Sequence, residues 1–197
     1  VIKRRGSVEA QNTVTDYFPV EKEYGYSVFS TVFYAEFLNK KLNVIDCPGA
    51  DDFIGGALTA MNVTDTGVIV IDSQYGVEVG TQNIFRYTEE MQKPVIFAMN
   101  QLDGEKADYD AVIEQLREDF GSKVVPIQYP IVSGPNFNAM IDVLLMKMYS
   151  WGPDGGTPTI SDIPADQKEK ALELHKQLVE AAAENDEALM EKFFDKG

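Results

Sequence analysis

The hydrophobic positions of this chain fall into short runs with the period of strands, separated by stretches with the period of helices. From Val28 to Phe37 β-branched and aromatic residues crowd together. Leu38-Asn39-Lys40 breaks the run and Leu42 to Ile45 resumes it, a pattern that predicts an antiparallel hairpin. A helix is expected from about Asp52 to Met61. Gly67 to Ile71 (GVIVI) is a continuous apolar run, which predicts a strand buried on both faces, and Pro94 to Met99 (PVIFAM) predicts another. Between them, Gly80 to Met91 reads as helix. Asp108 to Phe120 sets Val112, Ile113, Leu116 and Phe120 on one helical stripe. Val124 to Ile131 is expected as an edge or interrupted strand, because Pro126 and Pro130 cannot donate to a ladder. Strands separated by single helices predict an α/β fold with a mostly parallel sheet and helices on both faces.

The composition shifts after Trp151. Gly152-Pro153-Asp154-Gly155-Gly156 reads as a turn or linker, and Pro164 suits the first turn of a helix. Lys168 to Glu184 carries Ala171, Leu174, Leu178 and Ala182 on one face, and a second short helix is expected over Glu187 to Phe194. Residues 152–197 hold eleven acidic and five basic side chains. That acid is either a solvated helical face or a surface for a basic partner.

Composition narrows the class. At 197 residues, 44% hydrophobic and 25% charged, the chain is long enough to bury a core and has the balance of ordinary soluble globular material. No apolar run approaches a membrane span and no signal peptide is visible. A single cysteine, Cys47, rules out an internal disulfide framework and fits a reducing compartment. A single histidine, His175, speaks against a histidine metal cluster or a histidine-based triad. The net charge of −15 argues against a broad face that grips nucleic acid, DNA included, and any RNA contact is expected to be local. The chain opens on Val1 rather than methionine, which predicts an upstream segment.

The candidate chemistry sits where strands end. Asp46-Cys47-Pro48-Gly49 leaves the second hairpin strand, and Asn100-Gln101-Leu102-Asp103 leaves PVIFAM. In open α/β sheets ligands bind outside the carboxyl ends of the strands, so both motifs are expected at one site. An aspartate there can hold magnesium through water, and a following glycine lets a backbone N–H approach a terminal phosphate. The Asn100 and Asp103 pair suits guanine, because a carboxylate accepts from its N1–H and exocyclic amine and adenine offers no such edge. D-x-x-G alone is common, and Asp52-Phe53-Ile54-Gly55 also matches it inside an expected helix. N-[KQ]-x-D is rarer, and the two motifs in this order at successive strand ends carry the reading.

These residues resemble the translational GTPases of the elongation factor G type. Asp46-Cys47-Pro48-Gly49-Ala50-Asp51-Asp52-Phe53 is similar to that family's D-T-P-G-H-V-D-F, Asn100 to Asp103 to its N-K-M-D, and Glu23-Tyr24-Gly25-Tyr26-Ser27 stands where E-R-G-I-T would. Val125 to Ile131 resembles the approach to the family's insert, and Asn136-Phe137 to Trp151 resembles part of the insert itself. The resemblance implies a P-loop GTPase-like fold over residues 1–132, as a partial GTP-binding domain, and a small acidic α+β insert over residues 133–197. It implies GTP or GDP held by Asp46, Gly49, Asn100, Gln101 and Asp103, with magnesium at Ser27 and, through water, Asp46. It further implies action on the ribosome as a translocation factor, with the acidic insert facing a ribosomal stalk protein.

The departures shape the expectation. No G-x-x-x-x-G-K-[ST] occurs, so the phosphate-cradling loop and the first strand of the sheet are missing, and Val1 to Arg5 would be the tail of the helix after that loop. The missing strand would lie between the strand ending at Asp46 and Gly67–Ile71, so its absence predicts unpaired edges and self-association or a rearranged sheet. Gln101 replaces the lysine that lies across the purine, Ser27 replaces a threonine but keeps its hydroxyl, and Ala50 replaces the histidine that positions the attacking water. Ala50 leaves open a nucleotide-regulated ribosome-binding factor with little hydrolysis. A tetracycline-resistance-type ribosomal protection factor is a third reading.

Overall fold

The structure is a computed structural model that describes residues 6–153, 155–184 and 189–191. In chain order its elements are α1 (Pro19–Tyr24), β1 (Thr31–Phe37), β2 (Lys40–Asp46), a 3-10 turn at Asp51–Phe53, α2 (Ile54–Val63), β3 (Gly67–Asp72) and α3 (Val79–Glu90). They continue with β4 (Val95–Asn100), α4 (Tyr109–Phe120), β5 (Gln128–Pro130), β6 (Ala139–Asp142), β7 (Lys147–Gly152), β8 (Gly155–Ser161) and α5 (Lys168–Ala183). This is the mixed α/β fold expected. The tail helix expected at Val1 to Arg5 lies outside the described residues, as does most of the one expected at Glu187 to Phe194, of which residues 189–191 are helical.

Two compact units divide the chain. The first comprises residues up to Ile69 together with Glu78–Phe97. Its hairpin is set by a two-residue turn at Leu38 and Asn39, both with positive φ, which matches the twist of the flanking strands. The register runs from Phe37 opposite Lys40 to Thr31 opposite Asp46. Helix α3 faces β4 through Phe85 and Phe97, whose rings stack 5.8 Å apart.

The second unit comprises Val70–Val77 and the residues from Ala98 onward. Its core gathers Leu102, Tyr109, Tyr129, Ile141, Val143, Ile163 and Ala171. Four antiparallel strands in the order β5-β6-β7-β8 form its sheet. Helix α4 starts on Asp108, whose side chain accepts from the Ala111 N–H at 3.0 Å, and buries Val112 and Leu116 as the stripe predicts. In α5, Ala171, Leu174 and Leu178 meet the core as expected, while Ala183 rather than Ala182 is buried at the helix end.

Strands β3 and β4 pair with each other. The Gly67 N–H donates to the Pro94 carbonyl at one end and the Ser73 N–H to the Asn100 carbonyl at the other, a constant offset that parallel strands keep. The expectation that GVIVI is buried on both faces is corrected. Ile69 and Ile71 are buried, but Val68 and Val70 are 60% and 63% exposed. Among the described residues β2 and β3 belong to separate two-stranded sheets, so each presents an unpaired edge where the interrupted sheet was expected. The strand expected over Val124–Ile131 shrinks to Gln128–Pro130 and joins the antiparallel sheet, because Pro126 and Pro130 withhold ladder donors. The glycine-rich stretch after Trp151 is not a linker. It reverses β7 into β8, with Gly152 opposite Gly155. Pro164 opens a turn closed by the Gln167 N–H, and the helix begins only at Lys168.

Candidate functional site

In the first unit, β2 carries Asp46 to the open end of the hairpin, opposite Thr31. Pro48 is buried and pins the loop, while Gly49 and Ala50 are exposed. A β-carbon on Gly49 would meet nothing within 4 Å, so no neighbouring protein atom demands a glycine there. What a bare backbone offers at that point is close approach to something outside the chain. Ala50, in extended conformation (φ −75°, ψ 137°), precedes the 3-10 turn, and its carbonyl accepts from the Phe53 N–H. Burial pushes the Cys47 thiol above its ordinary pKa, so this residue is a protonated loop thiol at neutral pH. The second D-x-x-G match, Asp52 to Gly55, runs from the 3-10 turn into α2 as expected.

Ser27 belongs to a segment folded back on itself. Its hydroxyl donates to Asp16 Oδ1 at 2.6 Å. The residues around it are held by Glu21, which is only 1% exposed and accepts the N–H groups of Phe18, Val28 and Phe29 at 3.1 Å each. Burial alone would raise the Glu21 pKa. The hydrogen bonds from backbone N–H groups at Phe29, Val28, Phe18 and Tyr17 outweigh it and hold the carboxyl below its ordinary range. Helix α1 forms around this clamp: Pro19 stands at its first position, Glu21 caps back to Phe18, and Gly25 (φ 74°) ends it in the left-handed region.

In the second unit, β4 ends at Asn100 and the chain turns sharply. Gln101 takes φ 56°, the Gly104 N–H closes onto the Gln101 carbonyl at 2.9 Å, and Leu102 drops into the core. Asn100, Gln101 and Asp103 are thereby left exposed, flanking a buried leucine. The turn rests on the loop after β3. Ser73 is 1% exposed and its hydroxyl donates to the Gln101 carbonyl at 2.8 Å, while Gln74 Nε2 donates to Gln101 Oε1 at 3.3 Å.

Hard oxygen donors of the Ser27 and Asp46 type are what magnesium takes, with water and phosphate filling the remaining positions. Among the described residues no three His, Cys, Asp or Glu side chains cluster to hold a metal unaided. Asp16, Glu21 and Ser73 are the residues that sequence reasoning missed. Of these only Glu21 left a signal, as the carboxylate two residues after Pro19 at a helix start. His175 is structural: its Nδ1 lies 2.7 Å from the Val143 carbonyl, to which it can only donate. Trp151 packs near Phe137, with ring centroids 6.4 Å apart.

Residues 1–192 match the family described as the elongation factor Tu GTP binding domain. The chain is 33% identical over 196 residues to an elongation factor G-like protein of Thermotoga maritima, covering 99% of this chain and 28% of that protein. It also resembles a crystal structure of a Thermus thermophilus protein, with a TM-score of 0.88 and 30% identity over 98% of this chain and 29% of that one. The chain therefore spans under a third of the length of either relative. No helix among the described residues is long and apolar enough to cross a membrane.

Proposed function

The chain belongs to the elongation factor Tu GTP binding domain family, as a divergent member of the elongation factor G type, and on that premise we propose that it binds guanine nucleotide for a factor that works on the cytoplasmic ribosome. The observation that carries this reading is the turn after β4, which exposes Asn100 and Asp103 while burying Leu102 between them. The Asp103 carboxylate is an acceptor for guanine N1–H and the exocyclic amine, and Asn100, exposed at the end of β4, offers its amide beside it. Gln101 supplies the stem beside the base in place of a lysine. Asp46 and Ser27 are suited to magnesium, directly or through water, and Gly49 to a backbone N–H approach to the terminal phosphate. We read residues 133–197 as the insert, whose excess of acidic over basic side chains across residues 152–197 suits a basic surface on a stalk partner by charge.

These 197 residues contain no G-x-x-x-x-G-K-[ST], the loop that supplies most backbone donors to phosphate, so weak binding of GTP by the chain alone is expected. The test is calorimetric titration of the full-length protein with GDP, ADP and xanthosine diphosphate, repeated with Asp103→Asn. The reading requires guanine preference in the unmodified protein. It also requires that preference to move toward xanthine in the variant, whose amide donates where the carboxylate accepted. Equal affinity for GDP and ADP would remove it.

One observation favours a second reading. Ala50 offers only a methyl group at the head of the 3-10 turn, where the resemblance places a water-positioning histidine. A factor that binds nucleotide and ribosome with little hydrolysis fits that side chain. Phosphate release in the presence of ribosomes separates the two.

A further inference from the structure

We infer that Ser73 is a positioning residue for guanine recognition, acting through Gln101 rather than by touching the base; this rests on the reading of Asn100 and Asp103 given above. Ser73 grips the turn from three sides. Its N–H donates to the Asn100 carbonyl at 3.0 Å, its hydroxyl donates to the Gln101 carbonyl at 2.8 Å, and its own carbonyl accepts from the Asp108 N–H at 3.1 Å. The residue is 1% exposed, so no water substitutes for the hydroxyl.

The Gln101 carbonyl is the hub of this arrangement. It takes one hydrogen bond from the Gly104 N–H, which closes the turn, and a second from Ser73 Oγ, which ties the turn to the loop after β3. Gln101 is not glycine and nevertheless holds φ 56°, a conformation that side chains disfavour and that persists only when its surroundings over-determine it. That conformation reverses the chain so that Leu102 points inward and Asp103 emerges. The adjacent Gln74 completes the seat. A β-carbon on Gly104 would stand 2.8 Å from Gln74 Cδ and 3.1 Å from the Gln101 carbonyl oxygen, so the bare backbone at Gly104 leaves room for Gln74 to reach Gln101 Oε1. Losing the hydroxyl leaves the fold its core, which is built from Leu102 and residues beyond it, but frees the direction in which Asp103 is presented.

The test compares Ser73→Ala and Gly104→Ala with the unmodified full-length protein, using magnesium-GDP and magnesium-ADP as probes. Ser73→Ala is expected to weaken GDP about tenfold, the loss of one buried hydrogen bond's worth of alignment. ADP affinity should stay in place. A residue that merely supports the fold would weaken both nucleotides in proportion, and that result overturns the inference, as does an unchanged GDP affinity. Gly104→Ala, whose methyl would crowd both the Gln74 amide and the Gln101 carbonyl that Ser73 holds, is expected to erode the same preference. If the unmodified protein shows no guanine preference, the reading of Asn100 and Asp103 fails. Amide exchange at Gly104 then decides the positioning role: faster exchange in Ser73→Ala with unchanged exchange in α4 upholds it, and no change removes it.

Discussion

Asp16 receives the hydroxyl proton of Ser27 across 2.6 Å, and that single bond fixes which way the lone pairs of Ser27 point. A hydroxyl that donates to a carboxylate keeps both lone pairs for a cation, so on the proposed reading of Ser27 as a magnesium ligand Asp16 orients that ligand without being one. Such outer partners typically govern metal affinity by one to two orders of magnitude. Asp16→Ala in the full-length protein is therefore expected to raise the magnesium concentration needed for nucleotide retention by about tenfold, with Asp16→Asn milder because it keeps an acceptor. A magnesium titration with unchanged midpoint in both variants would oppose this.

Glu21 predicts a pH dependence with a definite sign. Its folded-state pKa is lowered, so its stabilisation is present at neutral pH and is lost as pH falls below the ordinary carboxylate range toward the depressed folded value. Glu21→Ala removes the acceptor that the N–H groups of Val28 and Phe29 share and is expected to cost about 2 kcal/mol at pH 7. Glu21→Gln costs less. Urea midpoints measured from pH 7 downward should show the unmodified chain and Glu21→Gln converging in acid; a difference that holds constant with pH would contradict the assignment.

Ala50 sets the hydrolytic expectation for the full-length protein. Loss of a water-positioning or proton-handling side chain typically costs on the order of 10²–10⁴ in rate. The Ala50 backbone is in ordinary extended conformation, so Ala50→His introduces no strain. Ribosome-stimulated phosphate release is expected to be low in the unmodified protein and to rise in the variant. Turnover already equal to that of a histidine-bearing factor under the same conditions would sink the idea.

The unpaired edges of β2 and β3, with Val68 and Val70 exposed on one face of β3, predict self-association of this chain. Sedimentation velocity should show concentration-dependent association at micromolar to millimolar levels. Val70→Lys should shift the population toward monomer. A monomer at every concentration would contradict it.

What was legible in the sequence was what is written locally. The hairpin, α3, α4 and α5 carry strong periodicity and punctuation, and Asp46 and Asn100 fall at strand ends because β-rich runs stop there. The run GVIVI could not reveal that Val68 and Val70 face outward, since a continuous apolar run looks the same whether one face or two is covered. Strands β6 to β8 escaped because AMID, KMYSWG and GGTPTIS are short, mixed and glycine-rich, and only pairing in register makes them strands. Ser73 was invisible for another reason. Its partner Gln101 lies 28 residues away, and no spacing rule connects a serine after one strand to a carbonyl after the next.

Leu102 belongs at once to the exposed turn and to the cluster formed with Tyr129, Ile141 and Val143. On the proposed reading of this turn as the guanine site, its occupancy and the melting of that cluster are linked equilibria. A nucleotide at a hundred times its dissociation constant would stabilise the native state by about 2.7 kcal/mol. By the same linkage, a lesion deep in the β5–β8 sheet that opens the cluster would lower the competent fraction and so the apparent affinity, while leaving every contacting side chain intact. Warming has the same effect: recognition would fade with the loosening of that hydrophobic cluster, before the chain as a whole comes apart.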